Sequence, residues 1–285
     1  YSNISEPPCP ICSFGKKEGA DGAYLLTPDE VAKRAAKFSQ MGAEEIHIIG
    51  GMYSKLPLSY YLDVVKAVKG ADKKLNVVAF TVSECVLMSR VSGKPLKLAG
   101  VDALPGGGAE IFDKSVRDKI APKKLTADEW LDAMRTAHTH GLKTNATMLY
   151  GHVETPESVV DHLLRLRELQ SETGGFKAFV PLPFRRGASA VQAHSSATYD
   201  LKICALSRIL LDNFPHVRVP ITHSGDRFAQ VLLNFGADDI GGTHWQEEVA
   251  VAAGAQRVNR DENFMRSTIE AAGCVPVKSN SNYAV

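Results

Sequence analysis

The feature that most constrains this chain is a pair that recurs along it, a short apolar run followed by a capped helix. Thr27-Pro28-Asp29-Glu30 sets an N-cap, a proline at the first helical position and a capping glutamate. That pattern predicts a helix that stops before Gly42. The run Glu45-Ile46-His47-Ile48-Ile49 then ends in Gly50-Gly51 and reads as a buried strand. Further strands are expected at 76–81, 101–104, 142–149, 176–182, 217–221 and 237–240, with helices between them opened by caps at Thr126 and Thr155. Strands alternating with capped helices make parallel β-α units.

Seven strands are visible, and residues 1–4 read as the last residues of an eighth. With 285 residues, the count and length predict a (β/α)8 TIM-type barrel, usually ~250 residues. The chain opens on what reads as a strand end, so the N-terminal part is expected to be truncated. The third crossover is short, with only residues 89–98 available for a helix. We expect a single domain over 1–285 with a polar, frayed tail from about 280.

Composition narrows the function classes. A net charge of +1 offers no basic stripe for nucleic acid. No run approaches the ~18 apolar residues of a membrane span. Cys85, Cys204 and Cys274 lie scattered in apolar surroundings, which argues against a disulfide framework and for a reducing cytoplasm.

In a barrel of this kind the chemistry sits at the C-terminal ends of the strands. The unusual residues fall there: the loop at 5–12, Gly50-Gly51, Glu84, Gly106-Gly107-Gly108-Ala109-Glu110, and Tyr150-Gly151-His152-Val153-Glu154. Pro181-Leu182-Pro183-Phe184-Arg185-Arg186, His223-Ser224-Gly225 and Gly241-Gly242-Thr243 follow the later strands. This coincidence predicts an enzyme.

Cys9 and Cys12, spaced C-x2-C, suit iron–sulfur or zinc ligation, and equally an incidental or redox-active pair. His138 and His140 close a helix and read as solvated residues at its negative end. The glycine runs either let backbone approach a ligand or make tight turns. Glu84, Glu110 and Glu154 read as rim carboxylates for hydroxyl or amino groups, against the plain alternative of solvated charges. Asn145 and Thr147 share one strand face, and His152 is the histidine best placed for function. Cys85 should point away from the barrel axis if Glu84 points in. Met148 and Phe179 are expected to pack.

Together these motifs resemble the radical S-adenosylmethionine (radical SAM) superfamily, whose first loop carries C-x3-C-x2-C. More narrowly, the chain is similar to the aminofutalosine synthases of the futalosine route to menaquinone. The runs at 104–112, 144–155, 163–176 and 235–239 carry that likeness. Dehypoxanthine futalosine cyclases and deazaflavin synthases share most of them. The resemblance implies a [4Fe-4S] cluster, and SAM cleaved to methionine and a 5′-deoxyadenosyl radical. It implies addition of that radical to 3-[(1-carboxyvinyl)oxy]benzoate, and a reducing electron-transfer protein as partner.

Position by position, Cys9 and Cys12 match the second and third cluster ligands, and Ser5 stands where the first cysteine belongs. Ile11 matches a residue whose backbone meets adenine, and Gly50 and Gly51 the pair that meets the methionyl amino group. Glu84 matches an acidic position on the SAM side. Thr147, Leu149, Gly151 and Glu154 resemble the fifth-strand element that packs on adenine. Asn145 and His152 are implied at the substrate, where Arg185 can pair with a carboxylate. Gly241, in place of a more usual Asp, and Arg185-Arg186, in place of a histidine–proline segment, depart from the family.

Overall fold

The computed structural model describes residues 1–6, 8–94, 100–241, 246–255, 260–280 and 282–283. Seven strands, β1 (Glu45–Ile48), β2 (Asn76–Ala79), β3 (Ala103–Leu104), β4 (Lys143–Tyr150), β5 (Phe176–Pro183), β6 (His216–Pro220) and β7 (Asp239–Gly241), form one curled sheet. They lie in chain order and every neighbouring pair is parallel. Each link is a right-sized helical crossover, so consecutive strands become neighbours and the sheet rolls toward a barrel. The expected eighth strand survives as one parallel bridge from Ser2 to Gly50, at the C-terminal end of β1.

The helices are α1 (Pro28–Gln40), α2 (Leu58–Ala71), α3 (Val82–Ser92), α4 (Lys114–Ile120), α5 (Ala127–Thr139), α6 (Pro156–Thr173), α7 (Ala197–Leu210), α8 (Ile221–Ser224), α9 (Asp226–Leu232), α10 (Val249–Ala252) and α11 (Glu262–Glu270). Thr27, Thr126 and Thr155 cap α1, α5 and α6 through capping boxes, as their spacing predicts. A fourth box, Thr81 with Glu84, starts α3 directly after β2. The third crossover is therefore not starved of residues, because the helix begins at Val82 rather than near Ser89. Residues 95–99 of that crossover lie outside the described ones, as do Gly242 and Thr243 at the last strand end.

Alternate residues divide the sheet between its two faces. Thr144, Ala146, Met148 and Tyr150 of β4 face the helices, where Ala146 and Met148 join Trp130, Met134, Leu163 and Phe176 in the larger apolar core. Asn145, Thr147 and Leu149 face inward. A register shift between Thr144 and Asn145 brings Asn145 beside Ala178 of β5. A second core gathers Ile48, Val64, Val68, Val77, Phe80 and Cys85 behind β1–β2. Met148 and Phe179 pack as expected, and Cys85 lies behind the sheet.

Two local expectations change. His138 is not solvated: it is half-buried, with its ring nitrogens on the hydroxyls of Thr173 (2.7 Å) and Thr144 (2.8 Å). Burial pushes it down to about 4. Within the tail, Tyr283 is docked. The Tyr283 ring stacks on His216 at 3.7 Å, and its hydroxyl donates to Asp239 Oδ2 at 2.6 Å. Burying a large amphipathic ring outweighs the polar character of its neighbours.

Candidate active site

The first loop takes its place because Gly51 lets it lie against β1. A Cβ on Gly51 would sit 1.9 Å from the Ile4 carbonyl oxygen. The Gly51 N–H donates to Ser2 O (3.0 Å), and Glu6 N–H donates to Met52 O (2.9 Å). Gly50 carries the Tyr1 ring on its bare face, where a Cβ would meet that ring at 2.5 Å. Close backbone approach therefore explains the glycine pair.

Within the loop a turn closes Cys9 on Cys12, with Cys12 N–H donating to Cys9 O at 2.9 Å. Gly15 N–H donates to Cys12 Sγ at 3.2 Å. The Ser5 Cβ and the Cys12 Sγ both lie within 3.5 Å of the point a Gly15 Cβ would occupy. Ser5 and Cys12 thus both pack on Gly15, while Cys9 lies near Cys12 at the edge of the larger core. Among the described residues no group of three or more His, Cys, Asp or Glu gathers as a metal-binding set. In donor chemistry Cys9 and Cys12 suit an iron–sulfur cluster, and the Ser5 hydroxyl, which accepts from Met52 N–H at 3.2 Å, does not.

Near Cys9 stands a largely buried ion pair, Lys124 with Glu110. Burial opposes both charges, but each holds the other ionised, with Glu110 below and Lys124 above its ordinary value. Burial also pushes the Cys9 thiol up, while Lys124 pulls the other way. Glu110 sits at φ 47° without being glycine, a left-handed backbone of the kind found at ligand clamps. Arg117 holds that shape by donating to the carbonyls of Gly108, Ala109, Ile111 and Leu125. Sequence reasoning missed Lys124 and Arg117, since each reads as an ordinary helix-flanking cation. Gly106 lies flat on β4, where a Cβ would come within 2.8 Å of the Asn145 and Ala146 backbone. Thr147 Oγ1 donates to Gly106 O at 2.7 Å.

The other expected residues divide by what already occupies them. Glu84 is at the third position of α3, not on a strand end. Its Oε2 accepts from Thr81 N–H (2.8 Å) and Oγ1 (2.6 Å), and its Oε1 from Tyr1 Oη (2.8 Å) and Gly50 N–H (3.1 Å). It therefore positions Gly50, and burial raises its carboxyl above the ordinary range. Glu154 accepts from Gly151 N–H (2.5 Å), His152 N–H (2.8 Å) and Tyr199 Oη (3.1 Å). Burial opposes its ionisation, but His152 and those bonds outweigh it and hold the carboxyl down at about 2.

His152 is buried, with Nε2 donating to Leu149 O (3.0 Å) and Nδ1 facing Val153 N–H (2.7 Å) and Glu154 Oε2 (2.9 Å). Both its nitrogens are engaged within its own loop, so it shapes that loop. Asn145 and Arg185 differ. Asn145 Oδ1 and Arg185 Nε are buried without a partner among the described residues, although Arg185 also donates to His223 O. Ile11 packs at the edge of the larger core. The segment after β5 closes over the cysteine loop, with Ser189 Oγ donating to Pro10 O (2.7 Å) and Ala188 N–H to Ser13 Oγ (3.2 Å).

Fold and site together define an enzyme of the parallel βα-barrel class, with its polar side chains gathered at the strand C-terminal ends. The chain matches the radical SAM superfamily over residues 8–166, and the CofH/MqnC C-terminal region over residues 173–285. It is 39% identical to the aminodeoxyfutalosine synthase of Thermus thermophilus, over 99% of this chain and 80% of that protein. It is also 34% identical to a 5-amino-6-(D-ribitylamino)uracil–L-tyrosine 4-hydroxyphenyl transferase of Methanococcus maripaludis, over 100% of this chain and 84% of that one. Its fold is shared with methylornithine synthase, with a TM-score of 0.67 and 16% identity over 98% of this chain and 81% of the other. The chain belongs to the radical SAM superfamily. It is a radical SAM enzyme of the transferase type, and no helix among the described residues is long and apolar enough to cross a membrane.

Proposed function

We propose that the chain, acting as a single domain over 1–285, transfers the 5′-deoxyadenosyl group of SAM to the enol-ether double bond of 3-[(1-carboxyvinyl)oxy]benzoate. Loss of the carboxylate then gives aminofutalosine, a step of menaquinone biosynthesis. The observation that carries this reading is the full-length identity to the Thermus synthase, which includes the C-terminal region.

A [4Fe-4S] cluster on Cys9 and Cys12, with its electron from a reducing partner protein, would supply the reductive cleavage of SAM. The chain's own residues do the rest. The backbone carbonyls of Gly50 and Gly51 would meet the methionyl amino group, with Glu84 holding Gly50 in place. Ile11, Thr147 and the loop braced by His152 and Glu154 form the adenine side. Asn145 and Arg185, with buried polar atoms still unpartnered, face the substrate, Arg185 toward a carboxylate. The free thiols suit a reducing cytoplasm.

A second reading is favoured by the Methanococcus relative, a 4-hydroxyphenyl transferase on tyrosine. Mass spectrometry separates the two. Anaerobic incubation with SAM and the carboxyvinyl-oxybenzoate is expected to yield aminofutalosine. A product only from tyrosine with 5-amino-6-(D-ribitylamino)uracil would overturn the first reading in favour of the second.

A further inference from the structure

We infer that Lys124 is a positioning residue for the mouth end of β4, which it fixes through Glu110. This rests on the reading of Thr147 and the 151–154 loop as the adenine side. β3 has two residues, and among the described residues it pairs with β4 only at Lys143 and Thr144. Beyond Thr144 the edge of β4 toward β3 therefore has no strand to bond, and its backbone groups need other partners. The loop after β3 supplies them. Leu149 N–H donates to Glu110 O at 2.8 Å, and Thr147 Oγ1 donates to Gly106 O at 2.7 Å. From α6, His162 Nε2 donates to Thr147 O at 3.0 Å, and His152 Nε2 closes the row on Leu149 O.

Of these contacts, the one at Glu110 is held against the backbone's own preference, because φ 47° is left-handed and the residue carries a Cβ. Arg117 is spent on the loop carbonyls to either side. The carboxylate is left to Lys124, and the two side chains are 21% (Lys124) and 13% (Glu110) exposed. Without Lys124 the Glu110 carboxylate is a largely buried charge that has lost its ion pair. It regains water by turning out of the left-handed backbone, and the carbonyl that receives Leu149 N–H moves with it. Leu149 stands between Thr147 and Gly151, so the slack falls on the adenine side.

The test compares the full chain with Lys124→Met, Lys124→Arg and Lys123→Met, the last a control for net charge at an exposed lysine. Two readouts are taken without reductant: the affinity for SAM by anaerobic calorimetry, and amide exchange over residues 145–155 by mass spectrometry. Lys124→Met is expected to bind SAM about tenfold more weakly, the loss of one bond to a charged group, and to exchange faster in that segment. Lys124→Arg should restore most of both, and Lys123→Met should change neither. Unchanged exchange over 145–155 in a folded Lys124→Met chain would overturn the positioning role. So would a lower unfolding temperature with SAM affinity intact, or equal losses in Lys124→Arg. A segment loosened as expected, in a protein whose native form does not bind SAM, would overturn the adenine-side reading and leave the hold on β4 standing.

Discussion

The two ends of the barrel treat their polar side chains in opposite ways. At the floor, where the strands begin, the groups satisfy one another. Arg218 bonds Asp239 at 2.5 Å, Tyr283 donates to the same carboxylate, and His216 meets Asp238 at 2.9 Å. Arg218 also lies under the Tyr283 ring, 5.4 Å from its centroid. At the mouth, Asn145 Oδ1 and Arg185 Nε have no partner among the described residues, the thiols of Cys9 and Cys12 are free, and Glu110 is held in a left-handed backbone. A buried polar atom without a partner costs about 1–3 kcal/mol, and among the described residues the fold accepts that at the mouth and also at His162 Nδ1 and Asn213 Oδ1. The lesson is that one end is built for stability and the other for binding.

Substitutions at the two ends should therefore separate activity from stability. The largest effect is expected for Cys9→Ala and Cys12→Ala, which should abolish product formation and the visible cluster absorption. Because Cys9 is only half-buried and Cys12 exposed, unfolding temperature measured without cluster should hardly change. A Cys12→Ala chain that still makes product would break the comparison outright.

Next come Asn145→Ala and Arg185→Met, expected to lower kcat/KM by about 10–100-fold, the value of a hydrogen bond to a charged group. Removing an unpartnered Oδ1 should leave stability unchanged or slightly raised, as a denaturant melt would show. A loss of stability equal to the loss of activity would place Asn145 with the structural residues instead.

Asp239→Ala should do the reverse. It strands Arg218 and the Tyr283 hydroxyl, at a cost of about 2–3 kcal/mol for a pair that keeps some solvent contact. By calorimetry that is roughly 5–10 °C of unfolding temperature, with kcat unchanged.

The smallest effect is a pH dependence at His138, also near the floor. Its folded value, about 4, lies below the ordinary 6.5. Between those values the unfolded chain binds a proton that the folded chain refuses, so stability falls as pH drops from 6.5 toward 4 and is flat above. After allowance for partial exposure this is about 1–2 kcal/mol. His138→Gln should remove that slope from a plot of unfolding temperature against pH.

What was legible in the sequence follows from what is local. Capping boxes, apolar runs and glycines are written within a few residues, so the βα repeat and most strand bounds could be read directly. The clustering of Gly50, Glu110, His152 and Arg185 at strand ends was readable for the same reason, once the strands were placed. The box at Thr81 is just as local, but it follows the apolar run of β2 without a break, so the pattern reads as strand to 81 and sets Glu84 at a strand end, whereas it lies in the first turn of α3.

The tertiary structure alone decided what each polar group does, because burial and partners come from residues far apart in the chain. Only the packing of α5 against α6 and β4 takes His138 out of water, and only the stack on His216 makes Tyr283 part of the floor. Lys124 becomes a buried partner of Glu110 because Arg117 folds the glycine-rich loop back on itself. His152, which its position marked for substrate, is instead consumed by its own loop. For Ser5 the sequence marked the missing sulfur, and the structure shows its side chain buried with the hydroxyl on the Met52 N–H. A residue's type limits the chemistry it can do, and the surrounding fold determines whether an atom is left free to do it.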